Sequence, residues 1–284
     1  MDHEEVGRFW NQNAESWTRL SRAGCDVFRD YFNTPCFLRM LPDINGLRGL
    51  DIGCGEGHNT RLLARRGARM DAVDISDVFI RFARESEAKE PLGIAYQLAS
   101  AVDLPYGDQS FDFVTGIMSF MDIPETDKVI SEAYRVLKPS GFLQFSISHP
   151  CFQPGRWKWI LDEKGNRSSM ACGDYFLLKD GVIDEWMFGA IPDDLKGMYP
   201  NFRIPRFDRT LSFWINLLLD TGFTIEQAQE PYADDEAIRQ HPGLADSRII
   251  AFFLHLRCRK KTLPNASVSQ EDDCSCVRGP SVES

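Results

Sequence analysis

The amino-acid sequence predicts an α/β protein with a Rossmann-like, doubly wound sheet. An apolar strand ends in a glycine loop within residues 50–57 and continues into helical residues from His58. A second short strand at 68–74 ends in an acid, and a mostly apolar strand follows at 111–118. Strands that alternate with helices are typical of a parallel sheet, which binds its ligands at the carboxyl ends of the strands.

The glycine loop has the sequence Gly53-Cys54-Gly55-Glu56-Gly57. Glycines at alternate positions leave backbone N–H and C=O groups bare and allow positive φ angles. Dinucleotide-binding folds favour G-x-G-x-x-G, whereas here His58 stands in place of the third glycine. Asp51 in the preceding strand suits a cationic ligand better than a pyrophosphate, because like charges repel in a partly desolvated pocket. The loop predicts a nucleoside-cofactor site, with an ordinary βα turn as the alternative.

Asp74 ends the second predicted strand, 23 residues after Asp51. A βαβ unit would carry its carboxylate to the same crevice, where it can accept hydrogen bonds from both ribose hydroxyls of a nucleoside. The alternative is a cap for the helix that follows Ser76. NAD-binding proteins share this feature, so Asp74 predicts a ribose contact without identifying the cofactor.

The glycine loop and the segments after it resemble the class I S-adenosylmethionine (SAM) methyltransferases of type 11, the ubiquinone/menaquinone type. The later segments are Ser100–Tyr106, Ser110–Val114 and Glu132–Phe142. Together the four signatures cover about residues 45–148 in the family's order. The resemblance implies SAM as cofactor and methyl transfer to an O, N or C atom of a small molecule. It also implies seven strands, mostly parallel, with one antiparallel strand near the edge.

The resemblance assigns cofactor contacts to individual residues. They are Asp51, Gly53, Cys54, Gly55, Gly57, Asp74, Ile75, Ser100, Ala101, Val102, Met118 and Ser119. Met118 and Ser119 follow the fourth strand, where this family binds the methionine arm beside the methyl-transfer centre. The family usually has an acid at the position of Ser100 to bind the adenine amino group. A hydroxyl makes a weaker contact, so adenine recognition is expected to depend more on the backbone of Ala101 and Val102.

Five regions are predicted along the chain. Residues 1–44 form a helical cap, for which an amphipathic helix on the sheet edge is the alternative. Residues 45–148 form the SAM-binding core, and 149–207 form an aromatic-rich substrate lid inserted after the fifth strand. Residues 208–259 supply the last helix and two strands, and 260–284 form a polar, disordered tail.

His149 is the candidate general base, because it would leave the fifth strand at its carboxyl end. An unperturbed histidine pKa of about 6.5 suits proton removal near neutral pH. The alternative is a histidine that fixes the turn before Pro150. Many methyltransferases depend mainly on proximity and orientation, which need no base.

Composition narrows the class of protein. A net charge of −10 and a pI near 5.1 oppose a nucleic-acid substrate, which would need clustered Lys and Arg. No apolar run is long enough to span a membrane. Eight scattered cysteines without a CxxC pair argue against a metal site and suit the cytoplasm. We therefore expect a cytoplasmic protein that acts on a small molecule. An NAD(P)-dependent oxidoreductase and a SAM-binding protein without transfer activity are the alternatives, and the oligomeric state stays open.

Overall fold

A computed structural model describes residues 1–153 and 157–261 of the chain. Within these residues the strands are β1 (Arg48–Ile52), β2 (Arg69–Asp74), β3 (Ala95–Leu98), β4 (Phe111–Ile117), β5 (Leu137–Ser148), β6 (Trp157–Leu161), β7 (Arg167–Cys172), β8 (Asp180–Trp186), β9 (Phe202–Phe207), β10 (Phe223–Gln229) and β11 (Phe253–Lys260). The α-helices are α1 (His3–Arg22), α2 (Thr34–Met40), α3 (His58–Arg65), α4 (Asp77–Lys89), α5 (Thr126–Val136), α6 (Leu211–Thr221) and α7 (Asp235–Gln240). The predicted disordered tail lies outside the described residues from 262 onward.

The central sheet has seven strands in the order β10-β11-β5-β4-β1-β2-β3. Strand β11 is antiparallel to both of its neighbours, β5 and β10, and the other neighbouring strands are parallel. The predicted mostly parallel sheet with one antiparallel strand near its edge is therefore confirmed.

Helices cover both faces of the sheet, as the prediction of a doubly wound fold requires. Val129 of α5 and Trp214 of α6 pack on one face. Phe37 of α2, Leu63 of α3 and Ile80 of α4 pack on the other. Because β4 is buried between these two layers, its sequence is almost continuously apolar, as parallel strands usually are.

Two antiparallel hairpins, β6–β7 and β8–β9, follow β5. The second hairpin packs against α1, where Leu20 contacts the cluster formed by Phe188, Phe202 and Ile204. Helix α1 begins with a capping box, in which Asp2 and Glu5 each accept a hydrogen bond from the other's backbone N–H. The amino-terminal helix therefore lies against the inserted hairpin. Of the helices in the described residues, none is long and apolar enough to cross a membrane.

Candidate functional site

A cavity of about 710 Å³ opens at the carboxyl ends of β1, β2 and β4. The glycine loop after β1 lines one part of it. A group of aromatic side chains lines another part, with Trp10 and Trp17 from α1 and Trp186 and Phe188 from the β8–β9 hairpin. These rings pack edge to face, with Trp17 centred 5.5 Å from Trp186 and 4.9 Å from Phe188. The cap, the inserted hairpin and the sheet thus enclose one shared space.

The glycine loop has three positive φ angles, +71° at Gly53, +55° at Gly55 and +86° at Gly57. A Cβ at Gly53 would lie 2.4 Å from Cβ of Ser119, so this glycine lets the loop approach the end of β4. The Ser119 hydroxyl donates to the carbonyl of Ile52 at 2.8 Å and holds the two segments together. At Gly55 a Cβ would meet nothing within 4 Å, so the loop presents open backbone at this position.

The Asp74 carboxylate lies under the same loop at the end of β2. It accepts hydrogen bonds from the backbone N–H of Gly55 at 2.8 Å and of Ser76 at 2.9 Å. Burial raises the pKa of Asp74 to about 6, although these N–H donors lower it in part. Ser76, rather than Asp74, caps α4 by accepting from the N–H of Phe79. The alternative reading of Asp74 as the helix cap is therefore wrong.

The structure brings most of the predicted cofactor residues to the cavity. Those that line it are Gly53, Cys54, Gly55, Asp74, Ile75, Ser100, Ala101, Met118 and Ser119. Met118 has a φ of +56°, which is uncommon for a side chain of this size. Its N–H donates to the Ser146 carbonyl at 3.0 Å, which holds this conformation in place.

Asp51 is not among the lining residues, although its strand leads into the loop. Its carboxylate is 1% exposed and accepts hydrogen bonds from the hydroxyls of Thr60 at 2.6 Å and Thr115 at 2.8 Å. Burial raises its pKa to about 6. In this position Asp51 ties α3 to β4 beneath the glycine loop. A direct cofactor contact therefore stays a prediction, and the observed contacts give Asp51 an indirect role.

Gly57 and Val102 also lie away from the lining of the cavity. A Cβ at Gly57 would lie 2.5 Å from the Tyr96 hydroxyl oxygen, so this glycine accommodates a neighbouring ring at the start of α3. The N–H of Val102 donates to the Ser100 hydroxyl at 3.4 Å. Ser100 itself lines the cavity, together with Ala99 and Ala101. Of the residues predicted to bind adenine, Ser100 and Ala101 thus line the cavity and Val102 does not, and the adenine contacts themselves stay a prediction.

His149 lies outside the lining and is 3% exposed. Its Nδ1 accepts from the N–H of Cys151 at 3.2 Å, so Nε2 carries the proton and donates to Glu230, 2.8 Å away. Both ring nitrogens are therefore engaged at the turn before Pro150. This arrangement matches the alternative interpretation of His149 as a residue that fixes the turn, and its catalytic role stays a prediction.

Sequence reasoning missed a charged group beside the glycine loop. Asp26, Arg29 and Glu56 line the cavity. Nη1 of Arg29 lies 3.8 Å from Oε1 of Glu56. This oxygen atom is buried and accepts no hydrogen bond from the described residues. Burial raises the pKa of Asp26 to about 6. Glu56 could have been predicted from its place inside the glycine loop, whereas no motif in the sequence marks Asp26 and Arg29 as site residues.

A second missed group lies at the end of β4, where residues Phe120–Asp122 form a 3₁₀ turn. Asp122 lines the cavity and is 8% exposed, and burial raises its pKa to about 7. Arg206 of β9 also lines the cavity and lowers that pKa in part. The two residues are 84 positions apart in the chain, so no sequence spacing could have paired them.

Comparisons with known proteins agree with this geometry. Residues 50–145 match a family described as a methyltransferase domain. A demethylmenaquinone methyltransferase from Tropheryma whipplei is 31% identical over 51% of this chain and 60% of its own length. Methyltransferase GfsG from Streptomyces halstedii is 39% identical over 34% of this chain and 36% of its own length. The chain thus spans less than two thirds of these two curated relatives. The crystal structure of an S-adenosylmethionine dependent methyltransferase from Mesorhizobium loti is 27% identical, with a TM-score of 0.65 over 80% of this chain and 96% of that one.

Proposed function

This chain carries a class I SAM-dependent methyltransferase domain of type 11, and we propose that the whole protein transfers the methyl group of SAM to a small molecule. One observation carries the proposal most directly. A single cavity joins the glycine loop, the carboxylate of Asp74 and the end of β4 to an aromatic wall built by α1 and the inserted hairpin. A cofactor and an acceptor can therefore meet inside one enclosed space.

The residues on the cofactor side fit SAM. Gly55 presents bare backbone to open space, and the buried Asp74 carboxylate suits the two ribose hydroxyls. SAM also carries an ammonium and a carboxylate on its methionine arm. Oε1 of Glu56 is buried without a hydrogen-bond donor among the described residues, so it suits the ammonium. Arg29 suits the carboxylate, because a guanidinium binds carboxylates through paired hydrogen bonds.

When bound, SAM supplies a methyl group activated by the positive sulfonium. The chain's own contribution is to hold the acceptor in line with that group and to exclude water. The walls formed by Trp10, Trp17, Trp186 and Phe188 serve both purposes. Alignment of two reactants in this way can be worth about 7–11 kcal/mol of the reaction barrier.

A small, diffusible acceptor and a cytoplasmic location complete the proposal. The cavity of about 710 Å³ would have to hold both SAM and the acceptor, which supports a small acceptor, and the net charge of −10 disfavours a polyanionic one. Six cysteines lie in the described residues, and all six are free thiols, as is usual in a reducing compartment.

Calorimetry with SAM and with its demethylated product tests cofactor binding, and NADH is the comparison ligand. We expect binding of both sulfur compounds and none of NADH. Asp74→Asn should weaken SAM binding by about tenfold or more, because the ribose hydroxyls lose a charged acceptor. The exposed Asp220→Asn is the matched control. Radiolabelled methyl transfer into a metabolite extract then tests activity, and binding without transfer would contradict the enzymatic proposal.

A further inference from the structure

Among the carboxyl groups that line the cavity, the buried side chain of Asp122 is the one that the proposal above does not use and that has no hydrogen-bond or ion-pair partner in the described residues. Its side chain makes no hydrogen bond or ion pair within residues 1–153 and 157–261. The turn that carries Asp122 is anchored in the fold, since the Asp122 N–H donates to the Ser119 carbonyl at 3.1 Å and the neighbouring Phe120 is fully buried. A fixed, buried carboxyl group is therefore directed to the cavity without serving the fold.

Asp122 follows the residues that are predicted to bind the methionine arm of SAM. Met118 and Ser119, which the family resemblance puts beside the methyl-transfer centre, precede Asp122 by four and three residues and line the same cavity. We propose that Asp122 is the general base of the reaction and that the acceptor is an uncharged molecule whose reacting group is a hydroxyl. This inference rests on the proposed methyltransferase function.

The charges around Asp122 support an uncharged acceptor. Both cations of the hairpin that line the cavity are already neutralised: Nζ of Lys179 lies 2.8 Å from Asp184, and Arg206 lies 3.7 Å from Asp184 and 4.0 Å from Asp208. A carboxylate or phosphate on the acceptor would therefore lack a counter-ion on this hairpin. An ammonium on the acceptor would form an ion pair with the ionised Asp122, and a protonated amine has no free electron pair with which to attack the methyl carbon.

Two further titratable groups lie on the elements around this turn. His3 of α1 lines the cavity, and its Nδ1 lies 3.1 Å from Oε1 of Glu125, the residue before α5. Oε2 of Glu125 is buried without a hydrogen-bond partner in the described residues, but Glu125 is not among the lining residues, whereas Asp122 is. Arg206 favours the ionised form of Asp122, and burial favours the protonated form. Asp122 is thus able to change its protonation state near neutral pH.

The chemical step balances with these groups alone. The acceptor oxygen forms a bond to the methyl carbon as the methyl–sulfur bond breaks, and the electron pair of that bond stays on sulfur. The hydroxyl proton passes to the Asp122 carboxylate, which later releases it to water. The products are a methyl ether and an uncharged sulfide, and neither an oxidant nor a metal takes part in the balance.

Three probes of one shape test the acceptor class: para-propylphenol, para-propylbenzoate and para-propylbenzylamine. Each is offered with radiolabelled SAM to the full chain, and its binding to protein saturated with the demethylated cofactor is measured by calorimetry. We expect binding and methylation of the phenol at least tenfold above the other two probes. Equal or better methylation of the benzoate or the amine, or no transfer to the phenol by protein that binds SAM, would overturn the acceptor assignment. Absence of SAM binding would instead refute the proposed function itself.

Asp122→Asn tests the base, with Asp220→Asn as the exposed control. We expect the rate at saturating SAM and phenol to fall about 10²-fold or more, with unchanged SAM affinity. The wild-type rate should rise with pH through about 7, whereas the Asp122→Asn rate should not.

Thermal melting supplies a readout that needs no substrate. Asp122 is buried with a raised pKa, so its ionised form destabilises the folded chain at high pH. Asp122→Asn should therefore melt at or above the wild-type temperature at pH 8. A lower melting temperature would show that the carboxylate serves the fold, and unchanged turnover in Asp122→Asn or Asp122→Ala would refute the base.

Discussion

The side-chain amide of Asn13 pairs with the backbone of Arg203 as a neighbouring strand would. Nδ2 of Asn13 donates to the Arg203 carbonyl at 2.9 Å, and the Arg203 N–H donates to Oδ1 of Asn13 at 3.1 Å. Asn13 lies in α1 and is 6% exposed, and Arg203 lies in β9. A single side chain thus joins the amino-terminal cap to the inserted hairpin across 190 positions of sequence.

Asn13→Ala should loosen this junction. Two hydrogen bonds to Arg203 and one to the Phe9 carbonyl are lost, so we expect the free energy of unfolding to fall by about 2–3 kcal/mol. The hairpin should also become more sensitive to limited proteolysis, because α1 covers it less firmly. Denaturant unfolding and timed proteolysis measure the two effects. The exposed Asn201→Ala is the control, and equal proteolysis of both variants would argue against a joining role for Asn13.

Gly53→Ala and Gly55→Ala should have different consequences, although both glycines have positive φ angles. Each alanine adds about 1–2 kcal/mol of backbone strain. At Gly53 the new methyl group also collides with Ser119, so we expect the larger loss of thermal stability there. At Gly55 the methyl group enters open space in the cavity, so the larger effect should be on SAM affinity.

Melting curves and SAM calorimetry of both variants distinguish these outcomes. Ser119→Gly in the Gly53→Ala background removes the collision and should restore part of the stability. A Gly53→Ala protein as stable as Gly55→Ala would show that the loop can move away from β4 at little cost.

SAM affinity should rise with pH through about 6. The free protein holds Asp74 with a pKa raised to about 6, so the residue is partly protonated at pH 5. The ribose hydroxyls need the ionised acceptor, and binding therefore releases a proton at low pH. We expect up to about tenfold weaker binding at pH 5.0 than at pH 7.0.

Calorimetry in buffers of different ionisation enthalpy measures both the affinity and the released proton. Asp26 and Asp51 also have pKa values near 6, so the contribution of Asp74 is the part that Asp74→Asn removes. An unchanged pH dependence in that variant would assign the effect to the other carboxyl groups.

The raised pKa values of Asp74 and Asp51 also make the stability of the unliganded protein depend on pH. A raised folded-state pKa means that Asp74 and Asp51 favour folding most below pH 3.8, the unperturbed value. Their contribution is lost as the pH rises through about 6, since the ionised forms are then buried. Bound SAM should reduce this loss at Asp74 but not at Asp51, which lies away from the cavity.

His149→Gln should act mainly on stability. The imidazole bridges Glu230 and the N–H of Cys151, so its loss should lower the melting temperature and change turnover by less than about fivefold. Glu230→Gln replaces the carboxylate that accepts this hydrogen bond and should have a similar, smaller effect. A loss of turnover of about 10²-fold at unchanged melting temperature would restore His149 as the base.

Much of the cofactor half of the site could be predicted because its signals are local. The alternating glycines specify a loop with positive φ angles, and Asp74 ends a strand whose neighbour is set by the βαβ connection. The order of motifs between 45 and 148 also determined the domain and its cofactor. These features depend on local backbone conformation, so a short contiguous stretch of sequence is enough to predict them.

Tertiary packing alone decided which side chains face the cavity. The Asp51 carboxylate lies outside the cavity lining because it accepts hydrogen bonds from Thr60 and Thr115. The His149 ring lies outside the lining because it donates a hydrogen bond to Glu230. Asp122 and Arg206 line the same cavity and interact electrostatically because the β8–β9 hairpin packs over the end of β4. A side chain's direction depends on partners many residues distant, and no local pattern contains them. Contiguous motifs therefore predict the cofactor and the reaction class, whereas contacts between distant segments place the side chains that line the cavity.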